Sequence, residues 1–214
     1  MRKIFRDLPV CVFAADALFR MEQNPEVGEA ARYIENTVYE KLDEIKNCIK
    51  PLAVADTITP EGDRQHLIWQ GQTWTLQKPL LTDRIVKVSL CSVTMGADID
   101  AAYDQCADDH DYNGAIIEAI GQAALINTIE QVRESLSRDQ YDEELECAAF
   151  IALEDFLIAS EQTAFWQRLD PDLQWEQQEL VAPRLSCSFF LLWRRIDPAD
   201  LLWQCIKEIG RAHV

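Results

Sequence analysis

The chain is short of the residues from which common catalytic signatures are assembled. Its 214 residues include three histidines, and none sits in a His-Glu-x-x-His zinc helix. Seven glycines, dispersed along the chain, form neither a phosphate-cradling loop nor a Gly-x-Ser-x-Gly elbow. The seven cysteines (Cys11, Cys48, Cys91, Cys106, Cys147, Cys187 and Cys205) are odd in number, widely spaced and without a Cys-x-x-Cys pair, so they signal neither a disulfide framework nor a zinc site. They read as small buried hydrophobes. No apolar run approaches the ~20 residues that span a bilayer. The opening MRKIFRDLPVCVFAADALF, basic and then apolar, is interrupted by Asp7, Pro9 and Asp16, which argues against a signal peptide and for a cytoplasmic protein without membrane association. Basic residues are scarce as well: 20 Lys and Arg stand against 37 Asp and Glu, for a net charge of −17. Nucleic-acid binding needs clustered cations, so that class is excluded, and the field of the chain favours basic partners.

What is present is the composition of a globular protein, 48% hydrophobic and 27% charged, long enough to bury a sizeable core. Asn24-Pro25-Glu26 reads as a helix start, with a capping side chain, Pro at the first helical position and an acid at the positive dipole end. Val27, Ala30, Ala31, Ile34, Val38, Leu42, Ile45 and Ile49 then recur at helical spacing up to Pro51. Leu52 to Ile58 reads as a strand. Leu67-Ile68-Trp69 and Thr73-Trp74-Thr75 flank Gln70-Gly71 as a hairpin, and Ile85 to Val93 is the β-branched, nearly continuous apolar run of a central strand.

Met95-Gly96 ends that strand and a short helix runs from Ala97 to Ala107. Asp111 to Leu136 reads as one long helix, followed by a polar connector from Ser137 to Glu146 and an apolar stretch, Ala148 to Ile158, compatible with strand or helix. Ser160 caps the helix EQTAFWQRL, Leu185 to Trp193 is a last buried strand, and Asp197-Pro198 opens a C-terminal helix ending at Gly210. The sum is an α+β class in a single domain spanning residues 1–214: a twisted, mainly antiparallel sheet packed against helices at 25–49 and 111–136.

No residue is assigned a catalytic or metal-ligating role. His66 and His110 read as surface residues, and Asp108, Asp109, His110 and Asp111 as a solvated turn in which Asp111 caps the long helix.

The order of several short motifs is more informative. Leu18-Phe19-Arg20 with Asn24-Pro25, the turn Val93-Thr94-Met95-Gly96, Asp111-Tyr112-Asn113 with the run Ala119 to Ala124, Phe165-Trp166-Gln167-Arg168-Leu169, and Val181-Ala182-Pro183-Arg184-Leu185-Ser186-Cys187-Ser188 follow one another at spacings that resemble the activation domain of vitamin B12-dependent methionine synthase. The likeness extends over roughly residues 15 to 210, with Val181 where that family has Met.

The resemblance implies an accessory protein that presents S-adenosylmethionine to a corrinoid, so that one-electron reduction of oxidised cobalamin is coupled to its remethylation. Cobalamin would be met only through a corrinoid-dependent methyltransferase or corrinoid protein as partner. Cofactors carry such chemistry and the protein supplies geometry, so a catalytic triad is not required. By family-like position, Thr94, Gly96, Asp111, Glu130, Pro183, Ser186 and Ser188 are the cofactor-binding or docking residues. The family's Arg-x-x-Pro-Gly-Tyr binding loop, however, falls on Ala148-Ala149-Phe150-Ile151-Ala152-Leu153, and the acid it uses from the long helix falls near Ile126, with Glu130 one turn later. Binding of S-adenosylmethionine is therefore expected to be weak. Two further classes stand beside this reading: a non-catalytic interaction module, and a binder of a different small ligand in an altered cleft lined by Trp166, Trp175 and Trp193.

Overall fold

In the computed structural model, residues 1–6, 8–10, 12–23, 35–61, 63–79, 81–106, 112–169, 174–176, 179–182 and 184–197 are described, with backbone alone for 23, 174–176 and 179–182. The central element is the strand β5 (Ile85–Thr94). It pairs on one side with β2 (Leu52–Ile58), which pairs with β1 (Arg2–Phe5), and on the other with β9 (Ser186–Arg195), which pairs with β6 (Leu145–Ala152). All four pairings are antiparallel, giving the order β1-β2-β5-β9-β6. This is an α+β fold with a mainly antiparallel sheet.

Both faces of the sheet are buried, which explains why β5 and β9 read as nearly continuous apolar runs. Side chains alternate between faces along a strand. Ala53, Ala55, Cys91, Val93, Phe189, Leu191 and Trp193 meet α1 (Ala14–Gln23), α2 (Glu35–Ile45), α3 (Ala97–Cys106) and the long helix α4 (Asn113–Tyr141). Val54, Val88, Leu90, Phe190 and Leu192 face the opposite way. They are covered by the hairpin of β3 (His66–Trp69) and β4 (Gln72–Thr75), the single helical turn α5 (Leu153–Phe156) and α6 (Ala159–Leu169).

The second layer is aromatic. Phe165 lies 4.9 Å from Trp69, 5.0 Å edge-on to Trp74 and 5.5 Å from Phe190, and Phe190 stacks on Phe156. Polar pins orient it: Trp69 Nε1 donates to Asp56 on β2 at 2.9 Å, and the Glu161 carboxylate of α6 accepts from the backbone N–H and hydroxyl of Thr75. The hairpin turns through Gln70 and Gly71, both at positive φ, the pairing a two-residue type I′ turn requires.

Several sequence expectations change. The long helix runs through Ser137 to Tyr141, because Val132, Leu136 and Gln140 continue its buried face at intervals of four; the polar connector shrinks to the turn 142–144, with Glu144 at positive φ. Residues Leu145–Ala152 form β6 and 153–156 form α5, so the stretch at 148–158 is strand and then helix. The helix expected over 25–49 is described from Glu35 to Ile45 and closes in a 3₁₀ turn, Lys46–Cys48. Helix α6 starts at Ala159, which puts Ser160 inside its first turn, where it was expected to be the cap. The strand β1 and helix α1, and the short strands β7 (Gln174–Glu176) and β8 (Glu179–Ala182), have no counterpart in the sequence reading. The expected C-terminal helix lies outside the described residues.

Phe165→Ala should lower stability by about 3–5 kcal/mol, since it removes a fully buried ring at the centre of the aromatic layer. For a chain of this size that is a fall in melting temperature of roughly 6–20 °C. Phe150→Ala, at a ring 45% exposed on β6, should cost less than half as much in the same thermal denaturation. Equal losses would contradict the two-sided core.

Candidate functional site

Four of the family-like residues, Thr94, Gly96, Ser186 and Ser188, gather at one end of the central strand pair. Thr94 faces Ser186 in register, and Ser186 Oγ and Thr94 Oγ1 are 2.9 Å apart. The Gly96 N–H donates to Thr94 Oγ1, and Met95 donates its N–H to Leu185 O and accepts from Lys50 N–H, each of these two at 2.9 Å. Gly96 sits at φ +84°, and a Cβ there would stand 3.2 Å from the Lys50 carbonyl, so this turn requires glycine. Strand alternation places Thr94, Ser92, Ser186 and Ser188 on the face away from α4.

Their burial changes how they are read. Thr94 is buried and Met95 fully so, the latter packed beneath Thr128 of α4. The turn expected to serve as a docking surface therefore presents only half-buried Gly96 and the exposed residues after it. Glu130 lies two residues beyond Thr128, about 200° around the helix. It is exposed and paired with Arg133 at 2.7 Å, apart from the strand ends. Asp111 and Pro183 lie outside the described residues; the cap position of α4 is Tyr112, in the left-handed region and without a side-chain cap, where Asp111 was expected.

Beside the strand ends lies a groove of about 310 Å³ between α3 and the N-terminal half of α4, closed by residues 184–185. Ile99, Ile117, Leu125 and Leu185 give it an apolar floor, and Asp100, Glu118, Gln122 and Arg184 give it polar walls. Leu185 reaches the floor because residue 121 is glycine: a Cβ there would come within 2.1 Å of Leu185 Cδ1. Arg184 secures the closing segment, its N–H donating to Asp100 Oδ2 at 2.8 Å and its guanidinium lying 3.2 Å from Asp104 and 4.9 Å over the Tyr103 ring. Burial pushes the Asp100 carboxyl above its ordinary range, against the lowering effect of its bond to Arg184. No nucleophile and base converge in these walls; the arrangement is suited to holding a ligand.

Sequence reasoning missed Asp100, Glu118 and Gln122, and took Arg184 only as part of the segment Pro183 to Ser188. The available signals were Asp100, Tyr103 and Asp104 at i, i+3 and i+4 on one helix, Glu118 and Gln122 at i and i+4 on the next, and an arginine inside the Pro-x-x-Ser segment.

Two of the positions that the resemblance assigns to an S-adenosyl cofactor, the binding loop and the acid of the long helix, do not fit one. Residues 148–152, where the resemblance places a binding loop, belong to the edge strand β6, whose register with β9 shifts between Cys147 and Ala149, and Phe150 stacks on Phe189 at 4.8 Å. Ile126 lies in a crevice of about 110 Å³ with Asp16, Phe19 and Arg20 of α1. Asp16 supplies an acid where the long helix does not, but the crevice is well below the ~300–1,000 Å³ of ordinary small-molecule sites. Trp166 and Trp193 are buried on opposite faces of the sheet and cannot line one cleft; the Trp175 side chain lies outside the described residues. Among the described residues, no group of three or more His, Cys, Asp or Glu side chains could hold a metal ion, and no helix is long and apolar enough to cross a membrane.

Gly121→Ala should displace the closing segment while changing stability by no more than about 1 kcal/mol, because the gain in helix propensity offsets the shift of one flexible leucine end. Faster amide exchange at Met95, whose N–H is held by Leu185 O, would report it; unchanged exchange would contradict it. A second expectation concerns Asp100. A carboxyl with a raised folded-state pKa binds its proton more tightly folded than unfolded, so its contribution to stability falls as pH rises from the unfolded value of 3.8 through the folded one. Asp100→Asn, which can still accept from Arg184, should therefore be more stable than the parent above that window, and the difference should shrink as pH falls below it. Chemical denaturation across pH 3–7 checks the sign.

No family model matches the sequence, and no curated protein matches it. Among solved structures, the chain is similar to one titled "Crystal Structure of the MetH Reactivation Domain bound to AdoHcy", with a TM-score of 0.64 over 92% of this chain and 79% of that one. The two are 12% identical, so the similarity is one of fold.

Proposed function

We propose that this chain is an accessory protein of corrinoid-dependent methyl transfer, one that keeps the frame of a reactivation domain and holds S-adenosylmethionine only weakly. The observation that carries the reading is the shared fold, which extends over nearly the whole chain. The ordered motifs, the strand-end turn around Gly96 and the Ser186–Ser188 segment, support it further. The partner is a corrinoid protein or methyltransferase, and cobalamin is met only on that partner.

Weak ligand binding follows from the residues. A strand stands where the resemblance places the loop with its arginine and Gly-Tyr pair, and Ile126 cannot accept a hydrogen bond from an ammonium group. A charge-assisted hydrogen bond of that kind contributes about 1.5–3 kcal/mol, so its loss alone weakens binding roughly ten- to a hundredfold. The chain's chemistry is then one of docking and positioning.

Two measurements test this. A ligand bound at ~100-fold above its dissociation constant would add roughly 2.7 kcal/mol, a melting shift of about 5–11 °C for this size. S-adenosylmethionine and S-adenosylhomocysteine should each give well under that shift at millimolar concentration, and a saturable shift of 5 °C or more would overturn the weak-binding half of the proposal. A cobalamin-loaded corrinoid methyltransferase should associate with the full chain in sedimentation, and Ala101→Arg, at an exposed position on α3, should weaken association without lowering the melting temperature. Absence of association with any corrinoid protein of the native lysate would overturn the docking half.

A further inference from the structure

A second groove, of about 410 Å³, lies at the other end of α4, where the last helical turn passes over β1, β2 and β5. Along α4 the nearest lining residues of the two grooves, Leu125 and Leu136, are 11 residues apart, about 16 Å. Lys3, Thr57 and Lys87 project into it from three neighbouring strands, and Asp139, Gln140 and Glu143 meet them from the helix and the turn after it.

Three features set its chemistry. The groove holds lysines in a chain otherwise strongly acidic. Lys3 Nζ bonds Ser135 Oγ at 3.1 Å and Asp139 at 2.8 Å, and Lys87 pairs with Glu143; both side chains are more than half buried. Its opposite wall is anionic, with Asp139, Asp142 and Glu143 at the negative end of the helix dipole. Gln140, only 6% exposed and lining the groove, has a buried Oε1 that no donor among the described residues reaches. A buried acceptor of this kind calls for an N–H or O–H.

These features select among ligand classes. A simple anion would find the lysines but would leave the Gln140 acceptor unmet, and it would approach against the field of a −17 chain. A simple cation would suit Gln140 and the carboxylates but would face the ammonium groups of Lys3 and Lys87. A molecule carrying both charges a few ångströms apart meets both walls and is neutral to the long-range field.

We propose that this groove binds a free α-amino acid, its carboxylate between Lys3 and Lys87 and its ammonium donating to Gln140 Oε1 and the Asp139 carboxylate. Occupation ties the end of α4 to the sheet, since the ligand bridges side chains from both. The site is independent of the corrinoid reading.

The test is calorimetric and thermal titration of the full chain with each of the twenty protein L-amino acids. At least one should bind saturably and raise the melting temperature. For that amino acid, the amine lacking the carboxylate and the acid lacking the amino group should each bind at least tenfold more weakly. Gln140→Leu should weaken binding by about tenfold or more, the value of one lost charge-assisted hydrogen bond. It should also leave the melting temperature of the unliganded chain equal or higher, because the unmet acceptor is gone. Lys87→Met should weaken binding similarly. Failure of all twenty to bind would overturn the proposal, as would an amine or acid binding as tightly as the amino acid, or Gln140→Leu and Lys87→Met both binding like the parent.

Discussion

The antiparallel pairing of β5 with β9, buried on both faces, is the constraint on which the rest of the molecule depends. Nine residues of one strand are matched to partners on the other, and their apolar side chains pack alternately into one of two different cores. A one-residue slip would exchange the faces, placing Phe190 under the long helix and Trp193 under the hairpin. Side-chain hydrogen bonds oppose such a slip. Trp193 Nε1 donates to Ser89 Oγ at 2.8 Å, and Ser186 Oγ meets Thr94 Oγ1 at the opposite end of the same pairing. Each joins β9 to β5, so the register is held at both ends.

That constraint explains what was legible in the sequence. Residues 52–58, 85–93 and 185–193 announced themselves because strands buried on both sides carry apolar residues continuously, and the hairpin because Gln70-Gly71 is a turn with its own chemistry. The C-terminal part of α4 was harder to read, since Ser137, Arg138 and Asp139 are solvent-facing while Gln140 keeps a buried place that a polar side chain does not advertise. Strand β1 is four residues long, with Lys3 lying on the face turned toward α4 and paired to Asp139; a short edge strand carrying inward charge looks like a loop. The switch from β6 to α5 has only a weak local signal, the acids Glu154 and Asp155 in the first turn of α5, and the turn is fixed by the packing of Phe156 against Phe190.

The candidate site was legible in part, for a similar reason. The turn at Thr94 to Gly96 and the Ser186–Ser188 segment were found through their motif, yet the groove beside them is built by side chains from three segments distant in sequence. Asp100 and Glu118 are ordinary helix-surface acids until the segment carrying Arg184 and Leu185 folds across them. Gly121, inside the run Ala119 to Ala124, allows a close approach, and the group that approaches is Leu185, which closes the groove. Thr94 and Met95 look like surface residues at a strand end, but the carbonyl and N–H of Met95 are shared between Lys50 and Leu185, which seals both side chains inside.

A sheet enclosed on both faces leaves little of its own surface for recognition, and this directs chemistry to the places where helices cross strand ends. The long helix crosses at two such places. Near its start, Gly121, Ala124 and Thr128 keep its profile low, so the apolar floor of the first groove can form against Ile99 and Leu185. Near its end, Leu136 and Gln140 stand above strands that carry Lys3, Thr57 and Lys87, so charge of both signs collects there. One helix of 29 residues thus presents two environments: past Ile116, Ile117 and Ile120 its buried face narrows to Gly121, Ala124 and Thr128, and it widens again to Leu136 and the polar Gln140. The strands beneath change from apolar at the first crossing to charged at the second, where Lys3 and Lys87 enter the groove, and this makes the two grooves chemically unlike.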